Sequence, residues 1–281
     1  MDNTQIEKII SEYNNASSAN FGGLSPAQLH EIIHNPLGET SKVKFHDEID
    51  DATLDKLPFF RIAEEFLKIL ARDKSIKLTP LGALPKKIMV ELYEHQFLPD
   101  TNIESGLIKL WKEADCISIQ AVRYTCEIAK LVKKVKGKLS LTKKGESYLI
   151  NNNRSDLFKL LFVSYAHGFN WSVNDGYPEE PIGQYGYLFS IFLLLKFGNK
   201  QTNTKFYSTK YLNVFHNFLL LFSDGYSTAE EKFDDCYTIR TFERFTDWFG
   251  FTHLNRARII LDSKTDKLVT NPVISKVFYV K

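Results

Sequence analysis

The stretch from Ile119 to Ile150 constrains the fold of this chain more than any other. Ile119 to Ala129 carries helical spacing. Leu131 to Val135 and Lys138 to Leu141 alternate as strands about Lys136-Gly137, a dipeptide suited to a tight turn. Thr142 then stands where it can cap a helix over Lys143 to Ile150. Helix, strand, turn, strand is the order of a winged-helix unit.

The same logic recurs more weakly. Lys77-Leu78-Thr79-Pro80 and Lys267-Leu268-Val269-Thr270-Asn271-Pro272 each end a short strand at a residue able to cap the next helix. Arg256 to Leu261 pairs with Lys267 to Thr270 as a further hairpin, whereas the Lys77 segment has no evident partner strand and is a partial match. Helices are expected at Thr4 to Tyr13, Phe59 to Leu70 (strongly amphipathic), Leu107 to Ala114, Asp156 to His167, Ile182 to Phe197, Thr209 to Phe222 and Thr228 to Phe249. A helical region is also expected from Thr79-Pro80 through Pro85 to Tyr93. Leu24-Ser25-Pro26-Ala27-Gln28-Leu29 reads as a helix start, with Ser25 and Gln28 as a capping box, Pro26 in the first turn, and Pro36 as the stop. Thr40 to Leu57 reads as an irregular acidic connection. The expected class is mainly α with short β-hairpins: winged-helix-like units plus an aromatic-rich helical bundle. The expected divisions are 1–100, 101–153 and 154–281, with Asn151-Asn152-Asn153 as the linker.

Composition narrows the function classes. The 281 residues are 43% hydrophobic and 25% charged, which places the chain among globular proteins and not disordered ones. Three cysteines without a CxxC spacing argue against a disulfide scaffold and suit a reducing, cytoplasmic setting. The first residues lack a basic n-region and an apolar h-region, so no signal peptide is expected. The apolar run from Tyr185 to Phe197 is too short to span a bilayer, so no membrane role is expected.

Charge is the most specific signal. Net charge is only +2, yet Lys130, Lys133, Lys134, Lys136, Lys138, Lys143 and Lys144 follow one another with no intervening acid. A lysine-bearing hairpin can lie along a phosphate backbone while the preceding helix, carrying Gln120 and Arg123, approaches a groove. Four such contacts on duplex DNA would give a salt exponent of about −3.6. The competing reading is a solvated or protein-facing wing: lysines blunt a strand edge against pairing with other chains, and winged-helix units also serve as protein-interaction domains.

Other constellations carry less. Phe158 to Phe251 holds 25 of the 38 aromatic residues, most of them expected as core. Phe169, Trp171 and Tyr177 fall in an expected loop and are candidates for binding a protein partner. His30-Glu31-Ile32-Ile33-His34 matches H-E-x-x-H, the spacing of a zinc hydrolase on a helix. Its context argues against a metal: Pro36 breaks the helix, position 40 is Thr40, and nothing singles out Glu64 or Glu65 as a third ligand. Asp47, Glu48, Asp50 and Asp51 form an acidic turn without EF-hand spacing. Arg240, Arg244 and Arg256 could form a second basic face, but Asp234, Asp235, Glu243 and Asp247 interleave with them, so local ion pairs account for them. With no G-x-S-x-G, Walker A or dinucleotide loop, the residues point to a non-enzymatic binding protein that needs no cofactor.

Four segments together are similar to a family of uncharacterised bacterial proteins. They are Gly23-Leu24-Ser25-Pro26 with Gln28 and His30; Lys77-Leu78-Thr79-Pro80-Leu81-Gly82-Ala83-Leu84-Pro85; Lys136-Gly137-Lys138-Leu139 with Leu141, Thr142 and Gly145; and Arg240-Thr241-Phe242-Glu243-Arg244-Phe245 with Trp248-Phe249-Gly250-Phe251. Ala83 stands where that family has Asn, and relatives of these segments accompany plasmid-type or zinc-knuckle modules. The resemblance implies a mostly helical protein with winged-helix-like units and supplies no activity.

Overall fold

The computed structural model describes residues 2–256 and 266–281. In chain order the elements are α1 (Asn3–Asn15), α2 (Pro26–His34), β1 (Val43–Phe45), α3 (Asp51–Leu54), α4 (Pro58–Asp73), β2 (Ile76–Lys77), α5 (Lys86–Glu94), α6 (Thr101–Glu104), α7 (Ile117–Ile128), β3 (Val132–Val135), β4 (Lys138–Leu141), α8 (Lys143–Ile150) and α9 (Arg154–Gly168). They continue with α10 (Tyr187–Phe197), α11 (Thr204–Val214), α12 (Ala229–Tyr237), a π-helix (Thr238–Thr246), β5 (Thr252–Asn255), β6 (Lys267–Thr270), α13 (Ile274–Val277) and β7 (Phe278–Val280). The protein is mainly α with short antiparallel strand pairs.

Local capping explains several starts. The Ser25 hydroxyl accepts from Gln28 N at 3.3 Å while Gln28 Oε1 accepts from Ser25 N at 3.1 Å, the reciprocal box expected there. Thr142 Oγ1 accepts from Gly145 N at 3.1 Å and starts α8. Lys136 and Gly137 both have positive φ, at 49° and 71°, the geometry of a type I′ hairpin turn. The helix expected at Leu107 to Ala114 does not form. Asp100 caps the short α6 instead, and Asp115 accepts from Trp111 N and Lys112 N, folding that segment as turns. Pro85 does not lie within a helix; it occupies the N-cap of α5.

The chain divides into two units, one of residues 1–47, 171–247 and 251–281 and the other of residues 48–170 and 248–250. The expected boundaries near 100 and 153 both fall inside the second unit, where Asn153 caps α9 by accepting from Asp156 N at 3.2 Å. In that unit the stripe of α4 is buried, Phe59, Phe60, Phe66 and Leu67 fully so. It meets Phe158 and Tyr165 of α9, and Phe249 stacks on Phe59 with centroids 4.8 Å apart. Gly250 ends that turn at φ 73°, and a Cβ there would stand 2.8 Å from the Lys56 carbonyl.

The strands of this unit form one three-stranded antiparallel sheet in the order β2-β4-β3. Lys77-Leu78 is therefore not a partial repeat lacking a partner. Ile76 pairs with Leu139 and Lys77 with Lys138, so β2 belongs to the same sheet as the hairpin.

In the first unit α10 is almost wholly apolar and is buried from Tyr187 to Leu194, and Tyr207, Tyr211, Tyr237 and Phe242 pack ring to ring. The strand pairs are β1-β7 and β5-β6. The hairpin expected at Arg256 to Leu261 starts earlier, with Thr252 to Asn255 against Lys267 to Thr270; residues 257–265 of that expectation lie outside the described residues. The helix expected over Thr228 to Phe249 ends its α-form at Tyr237 and continues as the π-helix. Every residue of α1 is exposed, including the apolar stripe Ile6, Ile9, Ile10 and Tyr13.

Candidate nucleic-acid interface

Strand alternation sorts the lysines of the second unit onto two faces. Ile76, Val132, Leu139 and Leu141 are buried and mark the inner face, against α4. Lys77, Lys133, Val135 and Lys138 are exposed and share the outer face. Lys77 and Lys138 stand directly opposite each other across the β2-β4 pairing. Like charges so placed destabilise a sheet unless something anionic lies over them. Among the described residues no carboxylate comes within ion-pair distance of either one, or of Lys133.

The remaining lysines of the run separate. Lys134 lies in the inner-face phase, and its ammonium is the nearest side-chain atom to Gly82, 2.7 Å from where a Cβ would stand. Lys136 holds the turn. Lys130 sits at φ 57° just past α7, and its carbonyl accepts from Thr142 Oγ1 at 2.7 Å. Lys143 is exposed in the first turn of α8. Lys144 donates to the Ala129 carbonyl at 3.1 Å, closing the end of α7.

Helix α7 was expected to face a groove, and it does not. It packs between α4 and α9. Arg123 is buried, at 4% exposure: Nε donates to Glu113 Oε1 at 2.5 Å and Nη1 to Glu127 Oε1 at 2.8 Å. Glu113 is as deeply buried, and its other oxygen accepts from Leu84 N at 2.8 Å. This pair ties α7 to the segment after β2, so Arg123 is a structural residue and not a base-reading one. Gln120 Oε1 is likewise buried, with no hydrogen-bond partner.

The loop aromatics offered as partner contacts also turn inward. Phe169 is buried against Tyr165 at 5.3 Å. Trp171 is 1% exposed and packs on Phe245 at 4.5 Å. Tyr177 is half-buried and its hydroxyl donates to Asp235. The arginines expected to pair along their own helix instead pin this loop. Arg240 Nε donates to Asp175 Oδ2 at 2.5 Å, and its other nitrogens to the carbonyls of Glu180 and Pro178. Arg244 donates to the carbonyls of Val173 and Asn174. Arg256 pairs with Glu243 at 3.5 Å and also with Asp235.

His30 and His34 do share a face, with ring centroids 4.4 Å apart. Glu31 accepts from the Thr40 hydroxyl, and this bond holds its carboxyl below the usual range, away from what a general base needs. Among the described residues there is no group of three or more His, Cys, Asp or Glu side chains placed to hold a metal ion. The acidic turn is consumed structurally: Asp50 caps α3, and Asp51 pairs with Arg154, which also holds Asp55 and Glu64. Among the described residues no helix is long and apolar enough to cross a membrane.

Residues 55–155 match the Y4jL N-terminal domain family. The match runs from just before α4 to the start of α9 and so contains the whole three-stranded sheet with its lysines. No curated protein matches the chain, and no solved structure does.

Lys77 and Glu113 were missed from the sequence. A signal for Lys77 was present: Lys77-Leu78-Thr79 and Lys138-Leu139-Ser140 have the same phase, which neighbouring strands of one sheet also share. Glu113 gave none, because its partner is ten residues away and the segment between them is not one helix.

Proposed function

We propose that the Y4jL-like segment is a winged-helix unit that holds the sugar–phosphate backbone of a nucleic acid with the outer face of its sheet and its hairpin turn. The element order α4, β2, α5, α7, β3, β4, interrupted by the four-residue α6 between α5 and α7, and the strand order β2-β4-β3 support the winged-helix reading. One observation carries the functional reading: Lys77, Lys133 and Lys138 crowd one exposed face with no carboxylate of the described residues to neutralise them. Arg123 is held by Glu113 and Glu127, and Gln120 Oε1 is buried, so the two polar side chains of α7 nominated for base edges are not offered to a groove. The contact is therefore one of backbone and shape, without sequence preference.

Fluorescence anisotropy with a random-sequence duplex tests this. Four contacts, from Lys77, Lys133, Lys136 and Lys138, give a salt exponent of about −3.6, a loss of roughly 150-fold in affinity between 50 and 200 mM salt. Lys133→Glu with Lys138→Glu abolishes binding and leaves the melting temperature in place. Duplexes of different sequence bind alike. Unchanged binding by the double variant, or no binding by the native protein at low salt, refutes the reading.

A protein partner is the second reading, favoured by the segment after α6. Leu107 is 78% and Trp111 62% exposed, and Lys86 holds its ammonium 3.5 Å from the Trp111 ring centre. An exposed Trp beside Leu is the composition of an interface anchor. On that reading Trp111→Ala abolishes a salt-tolerant association while duplex binding persists.

A further inference from the structure

At the end of α4 the chain leaves a cavity of about 470 Å³, within the second unit. Its walls divide by chemistry. Leu70, Leu141, Leu149 and Ile150 supply an apolar side; Lys74, Lys133 and Ser140 supply cationic and hydroxyl groups, with Glu146 also present. A concavity of this size with one apolar side and polar groups on its walls is within the range of small-ligand sites. Among the described residues neither lysine forms an ion pair, with Glu146 or any other acid.

Two further observations mark the place. Ile150 is 81% exposed, a large aliphatic side chain left in water at the rim. Lys74 adopts φ 62° and ψ −38°, a conformation costly to any residue with a Cβ. Helices that end in positive φ most often do so at Gly or Asn. A lysine in that conformation, at the wall of a pocket, is one form that backbone strain at a functional site takes.

We propose that this cavity binds a small anionic amphiphile, its acid head between Lys74 and Lys133 and its hydrocarbon body along Leu70, Leu141 and Leu149. The two ammonium groups against one carboxylate leave the pocket net cationic, so an acid is preferred over an alcohol of equal length. The aliphatic wall sets the body as hydrocarbon and disfavours a bare anion. This site is separate from the backbone-binding face: Lys133 serves both, but Lys77 and Lys138 do not line the cavity and Lys74 and Leu149 are not on the outer face.

The probe is decanoate, titrated by calorimetry, with decanol and acetate as controls. Decanoate is expected to bind saturably at one per chain, about tenfold more tightly than decanol, and acetate not at all. Lys74→Gly is expected to weaken decanoate by about tenfold while keeping or raising the melting temperature, because glycine relieves the backbone strain. A lysine with only a structural role predicts the reverse. Leu149→Trp, which fills the cavity, is expected to weaken decanoate and leave duplex affinity intact; Lys138→Glu is expected to do the opposite. The proposal is overturned if decanoate shows no saturable binding, if decanol binds as well, or if Lys74→Gly binds decanoate like the native protein. The last variant keeps the test decisive should Leu149→Trp fail to fold.

Discussion

Replacing Arg123 by Met separates a buried structural arginine from a nucleic-acid contact. Arg123 and Glu113 are 4% and 2% exposed, so neither is screened by water. Removing one partner of such a pair costs about 3–5 kcal/mol, chiefly by stranding the other charge. Two features set the value here. Leu84 N still donates to the Glu113 carboxylate, which favours the low end. The Glu127 contact is with a partly exposed carboxylate and adds little. About 3 kcal/mol then corresponds to a fall of about 10 °C in melting temperature for a unit of this size. Arg123→Met with Glu113→Gln removes the stranded charge but keeps an acceptor for Leu84 N, and should recover more than half of the loss. Circular dichroism melts of the four proteins provide the measurement, with duplex affinity taken below the lowest transition. The double variant should bind duplex as the native protein does. The reasoning is refuted if Arg123→Met melts within about 2 °C of native, or if the two substitutions simply add.

Three further outcomes follow from the same geometry. Burial raises the Asp247 carboxyl to about 6 despite the nearby His253, so the folded chain binds a proton more tightly than the unfolded one. Its contribution therefore falls as pH rises from about 4 to 6, and Asp247→Asn should gain in melting temperature relative to native at pH 7 but not at pH 4; a constant difference across that range contradicts this. Burial pushes the Cys236 thiol up to about 12 and raises Cys116 and Cys126 as well, so native protein at pH 8 should resist iodoacetamide at all three and react only after denaturation, read by mass spectrometry. Gly250→Ala forces a Cβ onto left-handed backbone against the Lys56 carbonyl and should cost about 2 kcal/mol or more in urea unfolding; a loss below about 0.5 kcal/mol would be incompatible with that packing.

Partway between sequence and fold lies the lysine run itself. Its exposure was readable, since seven lysines without an acid cannot be buried together. Its division was not fully so. Alternation places Lys133 opposite Lys134, but only the pairing with β2 adds Lys77 to the Lys133 face and shows that the cluster lacks a counter-charge. The aromatic loop went the other way. Phe169 and Trp171 lie between helices, as exposed binding residues often do, yet both are buried, and arginines some 65 residues later hold the adjoining loop in place.

What the amino-acid order determined alone is what acts over three or four residues. The Ser25–Gln28 box, the Thr142 cap, the Lys136-Gly137 turn and the stripe of α4 each depend on groups that the backbone brings together whatever the rest does. Tertiary structure decided which helix face meets water and which strands pair. The apolar stripe of α1 stays exposed, Val43 finds Val280 across nearly the whole chain, and the polar side of α7 is taken by Glu113 instead of a groove. Those outcomes are set by which surfaces compete for burial and for counter-charge, and that competition is between segments whose separation along the chain carries no local trace.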